Sequence, residues 1–139
     1  MRLFQQTVER GKIAAVIVGH GSRLGGFDAA LKKVARAVRR DGRFFSVQRA
    51  YLEINAPSIP EAISRCARRG AKEIRVLPYF LLGGRHIVLH IPRLVSAARK
   101  NFPGVKIVLC PYLGYDEKLV SLVKKRLEGA INRGTGVRG

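Results

Sequence analysis

Apolar residues along this chain follow two alternating periodicities. The run Ile13-Ala-Ala-Val-Ile-Val18 has no polar break, which suits a strand buried on both faces. Further β-type runs cover residues 44–52, 74–82 and 105–109. Between and after them, apolar positions recur at helical spacing. Ala30, Leu31, Val34 and Val38 form the first such stripe, and Ile59, Ala62, Ile63 and Cys66 the second. Ile91, Leu94, Val95 and Ala98 form the third, and Leu119, Leu122, Val123, Leu127 and Ile131 the fourth. Ser58 and Glu61 have the spacing of a capping box, and Gly70 stands where a C-terminal cap is needed. Pro92 suits a first helical turn, so the third helix is expected to begin near it. Asp116 can cap the last helix. Pro78 removes a ladder donor, so pairing should loosen toward the end of the third strand.

Strands alternating with helices at this spacing imply right-handed βαβ units and a parallel sheet covered on both faces. The expected architecture is an α/β, flavodoxin-like three-layer domain with four strands in the order 2-1-3-4. Ligands in such sheets bind beyond the carboxyl ends of the strands, where the winding reverses. Here that point lies between the first and third strands. One domain is expected over residues 1–131, with 132–139 a basic, Gly-rich and disordered tail.

Charge changes the picture more than length does. Lys and Arg number 27 against 9 Asp and Glu, a formal charge of +18. Such an excess suits an anionic partner: nucleic acid, a membrane surface, a phosphate or a polycarboxylate. Solvated helix faces explain it equally well. Aromatic residues are only 7% and no recognition motif is present, which argues against a nucleic-acid partner. Residues 13–18 are too few to cross a bilayer, which takes ~20 apolar residues. Cys66 and Cys110 show no paired or metal-ligand spacing and read as small buried hydrophobes. With no signal peptide, a reducing cytoplasm is expected.

His20 follows the first strand within Gly19-His-Gly-Ser-Arg-Leu-Gly-Gly26, and His86 follows the third after Gly83-Gly-Arg. Neighbouring strand ends lie ~5 Å apart, so both imidazoles could converge on one ion. Imidazole accepts Co2+, Ni2+, Fe2+ and Zn2+ alike, so ligand type does not choose the metal.

These residues carry a resemblance. Val18-Gly-His-Gly-Ser-Arg23, Leu52-Glu53, Ala56-Pro-Ser-Ile-Pro60, Leu77-Pro-Tyr-Phe-Leu81, Gly84-Arg-His86, Ile91-Pro92 and Pro111-Tyr-Leu-Gly114 occur in an order and spacing that resembles the short, single-domain sirohydrochlorin chelatases. The likeness runs from about residue 13 to about residue 130. It implies that His20 is proton acceptor and metal ligand and that His86 is the second ligand. It also implies that Ser22, Arg23 and the stretch Leu81, Leu82, Gly83, Gly84 and Arg85 lie along the bound macrocycle. The implied substrate is sirohydrochlorin, an acidic tetrapyrrole, and the divalent metal is a second substrate rather than a resident cofactor. Cobalt is the first choice, with Ni2+ or Fe2+ as alternatives. A homodimer is expected, because some relatives carry two tandem copies and one small domain offers half a cleft. Arginines near the expected mouth, Arg23, Arg85 and Arg93, could pair with substrate carboxylates or simply be solvated.

Two positions depart from that pattern. A glutamate often precedes the proline motif where this chain has Ala56, and an acidic residue usually stands where it has His90. His90 lies four residues after His86, which is ligand spacing only if helix already begins at His86; otherwise it is a helix-start residue. Glu53 could orient a histidine or form an ion pair with an arginine, and Tyr51 and Tyr79 read as core or rim aromatics. No P-loop is present, so no ATP requirement is expected. Two other readings stay open: a phosphohistidine or phosphate-binding α/β enzyme built on His20, and a basic nucleic-acid-binding module.

Overall fold

The computed structural model describes residues 12–132, apart from the side chains of His86, Ile131 and Asn132. The tail expected at 132–139 lies outside the described residues except for Asn132. In chain order the elements are β1 (Ile13–Gly19), α1 (Ala29–Arg40), β2 (Ser46–Tyr51), α2 (Ile59–Arg68), β3 (Glu73–Pro78), a π-helical turn (His86–His90), α3 (Ile91–Asn101), β4 (Lys106–Leu109) and α4 (Glu117–Asn132). The four strands form one sheet in the order β2-β1-β3-β4, all parallel, as the strand–helix alternation requires. β1 is central and pairs Ala14 to Gly19 with Ser46 to Tyr51 on one side, and Ile13 to Val18 with Glu73 to Pro78 on the other.

Each face of the sheet collects its own core. Ala14, Val16 and Val18 of β1 point to the side where α2 contributes Ile59, Ile63 and Cys66, and α3 contributes Ile91 and Val95. Ala15 and Ile17 point the other way, onto Leu31 and Ala35 of α1. The alternation is the period-2 geometry of a strand, and burial on both faces explains why β1 has no polar residue. Burial also pushes the Cys66 thiol up, so it behaves as an apolar filler rather than a thiolate.

The helix signals are realised in detail. The Ser58 hydroxyl accepts the Glu61 N–H at 3.2 Å while the Glu61 carboxylate accepts the Ser58 N–H at 3.0 Å. Gly70, at φ +100°, ends α2 by directing its N–H to Ala67 O and that of Ala71 to Cys66 O, the paired bonds of a Schellman motif.

Three expectations are corrected. The second strand is shorter than 44–52, because Leu52 already turns toward the loop at the carboxyl edge. The third stops at Pro78 instead of reaching residue 82: proline offers no N–H to extend the ladder, and one further bond, Tyr79 N–H to Val18 O at 2.8 Å, closes the pairing. Finally, among the described residues one face of the sheet is covered only in part. α1 covers the β2–β1 half, but α4 makes no substantial contact with any strand or helix among the described residues. On that side of β3 and β4, Arg75 is exposed and Leu77 and Val108 are half-buried. The bottom of this open face is charged, with Glu73 paired to Arg75 and to Lys106, so it offers a helix an incomplete apolar seat.

Candidate functional site

The carboxyl end of β1 delivers Gly19, His20 and Gly21 in succession. A Cβ at Gly19 would stand 3.0 Å from Leu31 Cδ2, so α1 packs against the backbone there. Gly21 is held at φ +106°, and a Cβ on it would fall 2.0 Å from the carbonyl oxygen of Glu53. Both glycines flanking His20 therefore answer to sterics: one lets a helix approach, the other lets the loop after β2 cross the loop after β1.

That crossing builds the site. Hydrogen bonds continue beyond the strands, from Leu52 N–H to Gly19 O at 3.0 Å and from Glu53 N–H to His20 O at 3.1 Å. They carry Glu53 beside His20, and its Oε1 lies 3.2 Å from His20 Nε2, with both side chains about half exposed. The other ring nitrogen, Nδ1, lies 3.2 Å from the Gly21 carbonyl oxygen. Among the described residues Glu53 thus pairs with a histidine rather than an arginine. A tight turn follows, in which Asn55 N–H bonds back to Glu53 O at 2.7 Å with Ile54 at φ +69°. An i to i+2 bond around a positive φ is the geometry of a γ-turn, rare and strained for a β-branched residue. It turns Asn55 back toward the first loop, where its Oδ1 accepts the Ser22 N–H at 2.7 Å. Neither this latch nor the strained turn is legible from spacing, and nothing in residues 53–55 alone announces them.

Of the residues expected along the macrocycle, Ser22 has its hydroxyl in a local turn, accepting Leu24 N–H at 3.0 Å. Arg23, Leu81, Leu82, Gly83, Gly84 and Arg85 are all exposed at the same end of the sheet. Gly83 has a tighter reason to be glycine than ligand approach, since a Cβ there would meet the Tyr112 hydroxyl at 2.8 Å. Gly84 stands in open space and its carbonyl accepts the N–H groups of Ile87 and Val88, which starts the helical turn.

His86 opens that π-helical turn, so helical backbone begins there and not near Pro92. Pro92 stands in the first turn of α3 directly after it; in a regular helix interior its ring would clash with the carbonyl four residues back, which its missing N–H would also leave unbonded. His86 and His90 are therefore about one turn apart on a continuous helical backbone, and His90 is exposed. The segment 79–85 separates His86 from the end of β3, so its place follows from the loop and the turn rather than from strand spacing alone. Among the described residues no group of three or more His, Cys, Asp or Glu side chains could hold a metal ion. Cys110 is half-buried, and burial pushes its thiol up, away from the thiolate a metal would need.

The surroundings are apolar. Leu24, Ile54, Leu81, Leu82, Val88, Leu89, Tyr112 and Tyr115 are exposed, Leu82 to 83%. All eight lie in segments that follow β1, β2, β3 or β4, at the carboxyl edge of the sheet. Apart from Phe45 and four residues of α4, they are all the exposed large apolar side chains among the described residues. Such concentration marks a surface for an apolar ligand or partner. A cavity of about 350 Å³ opens in it between the π-helical turn and the loop after β4, lined by Pro78, Ile87, Val88, Leu109, Cys110 and Tyr112.

A histidine at the winding reversal of a 2-1-3-4 parallel sheet, set in an apolar rim, defines an α/β protein with its ligand site at the carboxyl edge. The chain belongs to the CbiX family, whose model matches residues 14–130. It is 32% identical over 121 residues to a chloroplastic sirohydrochlorin ferrochelatase of Arabidopsis thaliana, covering 87% of this chain and 54% of that one. It is 31% identical over 127 residues to a sirohydrochlorin cobaltochelatase of Methanosarcina acetivorans, covering 86% and 98%. The crystal structure of the sirohydrochlorin chelatase SirB from Bacillus subtilis subspecies spizizenii in complex with cobalt superposes with a TM-score of 0.79 at 27% identity, over 85% of this chain and 50% of that one. The chain thus spans about half the length of the plant relative and of SirB.

Proposed function

We propose that this protein inserts a divalent metal ion into sirohydrochlorin without ATP. The observation that carries the reading is the pairing of His20 with Glu53 at 3.2 Å, at the winding reversal and within the apolar rim. Metallation exchanges two pyrrole N–H protons for one ion, so the catalyst must take up protons where it presents the metal. A neutral His20 imidazole can coordinate the ion or accept a proton, and protonation ends both roles. In this reading His20 takes the two pyrrole protons one at a time and passes each to solvent from its half-exposed ring, while the Glu53 carboxylate beside Nε2 orients that ring. His86 is the second ligand in this reading, and the exposed leucines and tyrosines receive the face of the macrocycle. Names of similar proteins mention both cobalt and iron, and Co2+ is the ion proposed first, ahead of Fe2+ and Ni2+.

The setting proposed is a homodimer in a reducing cytoplasm. Cys66 and Cys110 are unpaired, and among the described residues no helix is long and apolar enough to cross a membrane.

The test is the absorbance of sirohydrochlorin incubated with Co2+, Fe2+ or Ni2+ and the protein. Metallation should be accelerated over the spontaneous rate. His20→Ala and His86→Ala should remove most of the acceleration, and Glu53→Gln should lower it ~10–100-fold, the scale of a lost partner that orients a ligating histidine. Wild-type rates from His20→Ala would overturn the proposal.

A further inference from the structure

A second site lies on the flank of the molecule, beside the His20 loop. α1, the edge strand β2 and α2 enclose a cleft of about 360 Å³ whose lining includes Lys32, Arg39, Arg49 and Arg65. Among the described residues Asp28 is the one carboxylate in that lining. Four cations against one anion leave three positive charges facing the same space. Asp28 is also fully engaged: its Oδ2 accepts the Tyr51 hydroxyl at 2.5 Å and Arg49 Nη1 at 2.9 Å, and Lys32 Nζ lies 3.8 Å from its Oδ1.

The arginines are held but not exhausted. Arg39 donates from Nη2 to the Val47 carbonyl at 3.0 Å, and Arg49 uses Nη1 on Asp28 and on the Tyr51 hydroxyl. A guanidinium carries five N–H donors, so each retains donors for a further acceptor. Their positions are fixed before any ligand arrives, which lowers the ordering cost of binding. Planar, fork-shaped donors and an ammonium spread over a cleft of this size suit several carboxylates on one small scaffold.

We propose that this cleft binds a polycarboxylate. The ligand can be a free small polycarboxylate or the carboxylate arms of the macrocycle bound at the neighbouring site. The second source rests on the proposed chelatase reading; the first does not. The two sites share a wall, because Asn55 lines the cleft and its Oδ1 also holds the Ser22 N–H of the His20 loop.

The probe is citrate, titrated calorimetrically into metal-free protein, beside a competition titration with sirohydrochlorin. Lys32→Gln/Arg65→Gln removes two cations from the lining, and Ala56→Glu adds a carboxylate to it. Each variant should weaken citrate at least ~10-fold, the scale of a lost charge-assisted contact. A charge-matched control, Lys100→Gln/Lys118→Gln, should leave citrate affinity unchanged. If sirohydrochlorin competes with citrate and is weakened by the same variants, the arms of the macrocycle are the ligand. If it binds without competing, a free polycarboxylate is the ligand. Citrate binding that survives without metallation would uphold the cleft while the chelatase reading fails. Absence of citrate binding at millimolar concentration, or equal weakening in the control, would overturn the proposal.

Discussion

Single residues at the site are constrained by what their neighbours leave open. Gly21 has no room for a Cβ, because the atom would sit 2.0 Å from backbone rather than from a yielding side chain. Gly21→Ala must therefore push the Glu53 loop away from His20, on top of about 1–3 kcal/mol for a strained φ. The expected result is a lower denaturation midpoint together with loss of metallation, and a variant with wild-type stability would contradict the geometry. The Asp28–Tyr51 contact makes a second, pH-dependent test. The Tyr51 hydroxyl hydrogen bond, then Lys32 and Arg49, hold the Asp28 carboxyl below its ordinary value, while burial and then the bond to Asp28 push the Tyr51 hydroxyl above its own. A lowered carboxyl contributes stability above its unfolded pKa, ~3.9, and loses it as pH falls through the folded value. A raised phenol contributes stability below its unfolded pKa, ~10, and loses it as pH rises through the folded value. Tyr51→Phe should flatten the alkaline limb of the stability profile and make the acid limb shallower, as read from denaturant midpoints across pH. An alkaline limb identical in both proteins would assign the effect to another group.

Secondary-structure elements were legible from the sequence in proportion to how much of their geometry is periodic. The unbroken apolar run of β1 and the stripes of α1, α2 and α3 specify strand, helix and buried face together, and crossover handedness then leaves the 2-1-3-4 order as the economical topology. Punctuation was legible too: Ser58, Glu61, Gly70 and Pro78 each act through a hydrogen bond made or withheld. The meeting of Glu53 with His20 was legible only as one of two alternatives, beside an ion pair with arginine; the latch from Asn55 to Ser22 was not legible, because it depends on a γ-turn at Ile54, and a β-branched residue is the last to be expected at positive φ. Nor was the π-helical start at His86, since Pro92 argued for a later one. The strain at Ile54 is testable. Its side chain is 60% exposed, so little burial is at stake, and asparagine tolerates the left-handed region. Ile54→Asn should raise stability by about 1 kcal/mol through relief of that strain. Metallation should be retained, because the variant keeps the turn that directs Asn55 to Ser22. Unchanged stability would mean that the turn carries no strain.

At the scale of the whole molecule, α4 is unfinished business for a monomer. Leu119, Leu122, Val123 and Leu127 lie on one side of its helical wheel, interrupted by Arg126, with Lys124, Lys125 and Glu128 opposite, yet Val123 is 56% and Leu127 62% exposed. Among the described residues the β3–β4 half of one sheet face is left open, with Leu77 and Val108 half-buried. A helix of 16 residues is ~24 Å long, so at ~10 Å width its apolar face covers ~240 Å². One helix seated on one second copy would bury about twice that, short of the ~1,000 Å² expected of a specific interface. Reciprocal seating, each copy's α4 on the other's open sheet, buries four such faces and reaches it, which favours a two-fold dimer. Charge gives this arrangement a distinctive signature. Each protomer carries +18, so association works against like-charge repulsion that salt screens, whereas an interface held by ion pairs is weakened by salt. Sedimentation equilibrium should therefore show a dimer that tightens as NaCl rises. Leu122→Glu/Leu127→Glu should be monomeric at every salt concentration with its circular dichroism little changed. A wild-type protein that stays monomeric at high protein and salt concentration would leave α4 to some other partner and overturn the dimer.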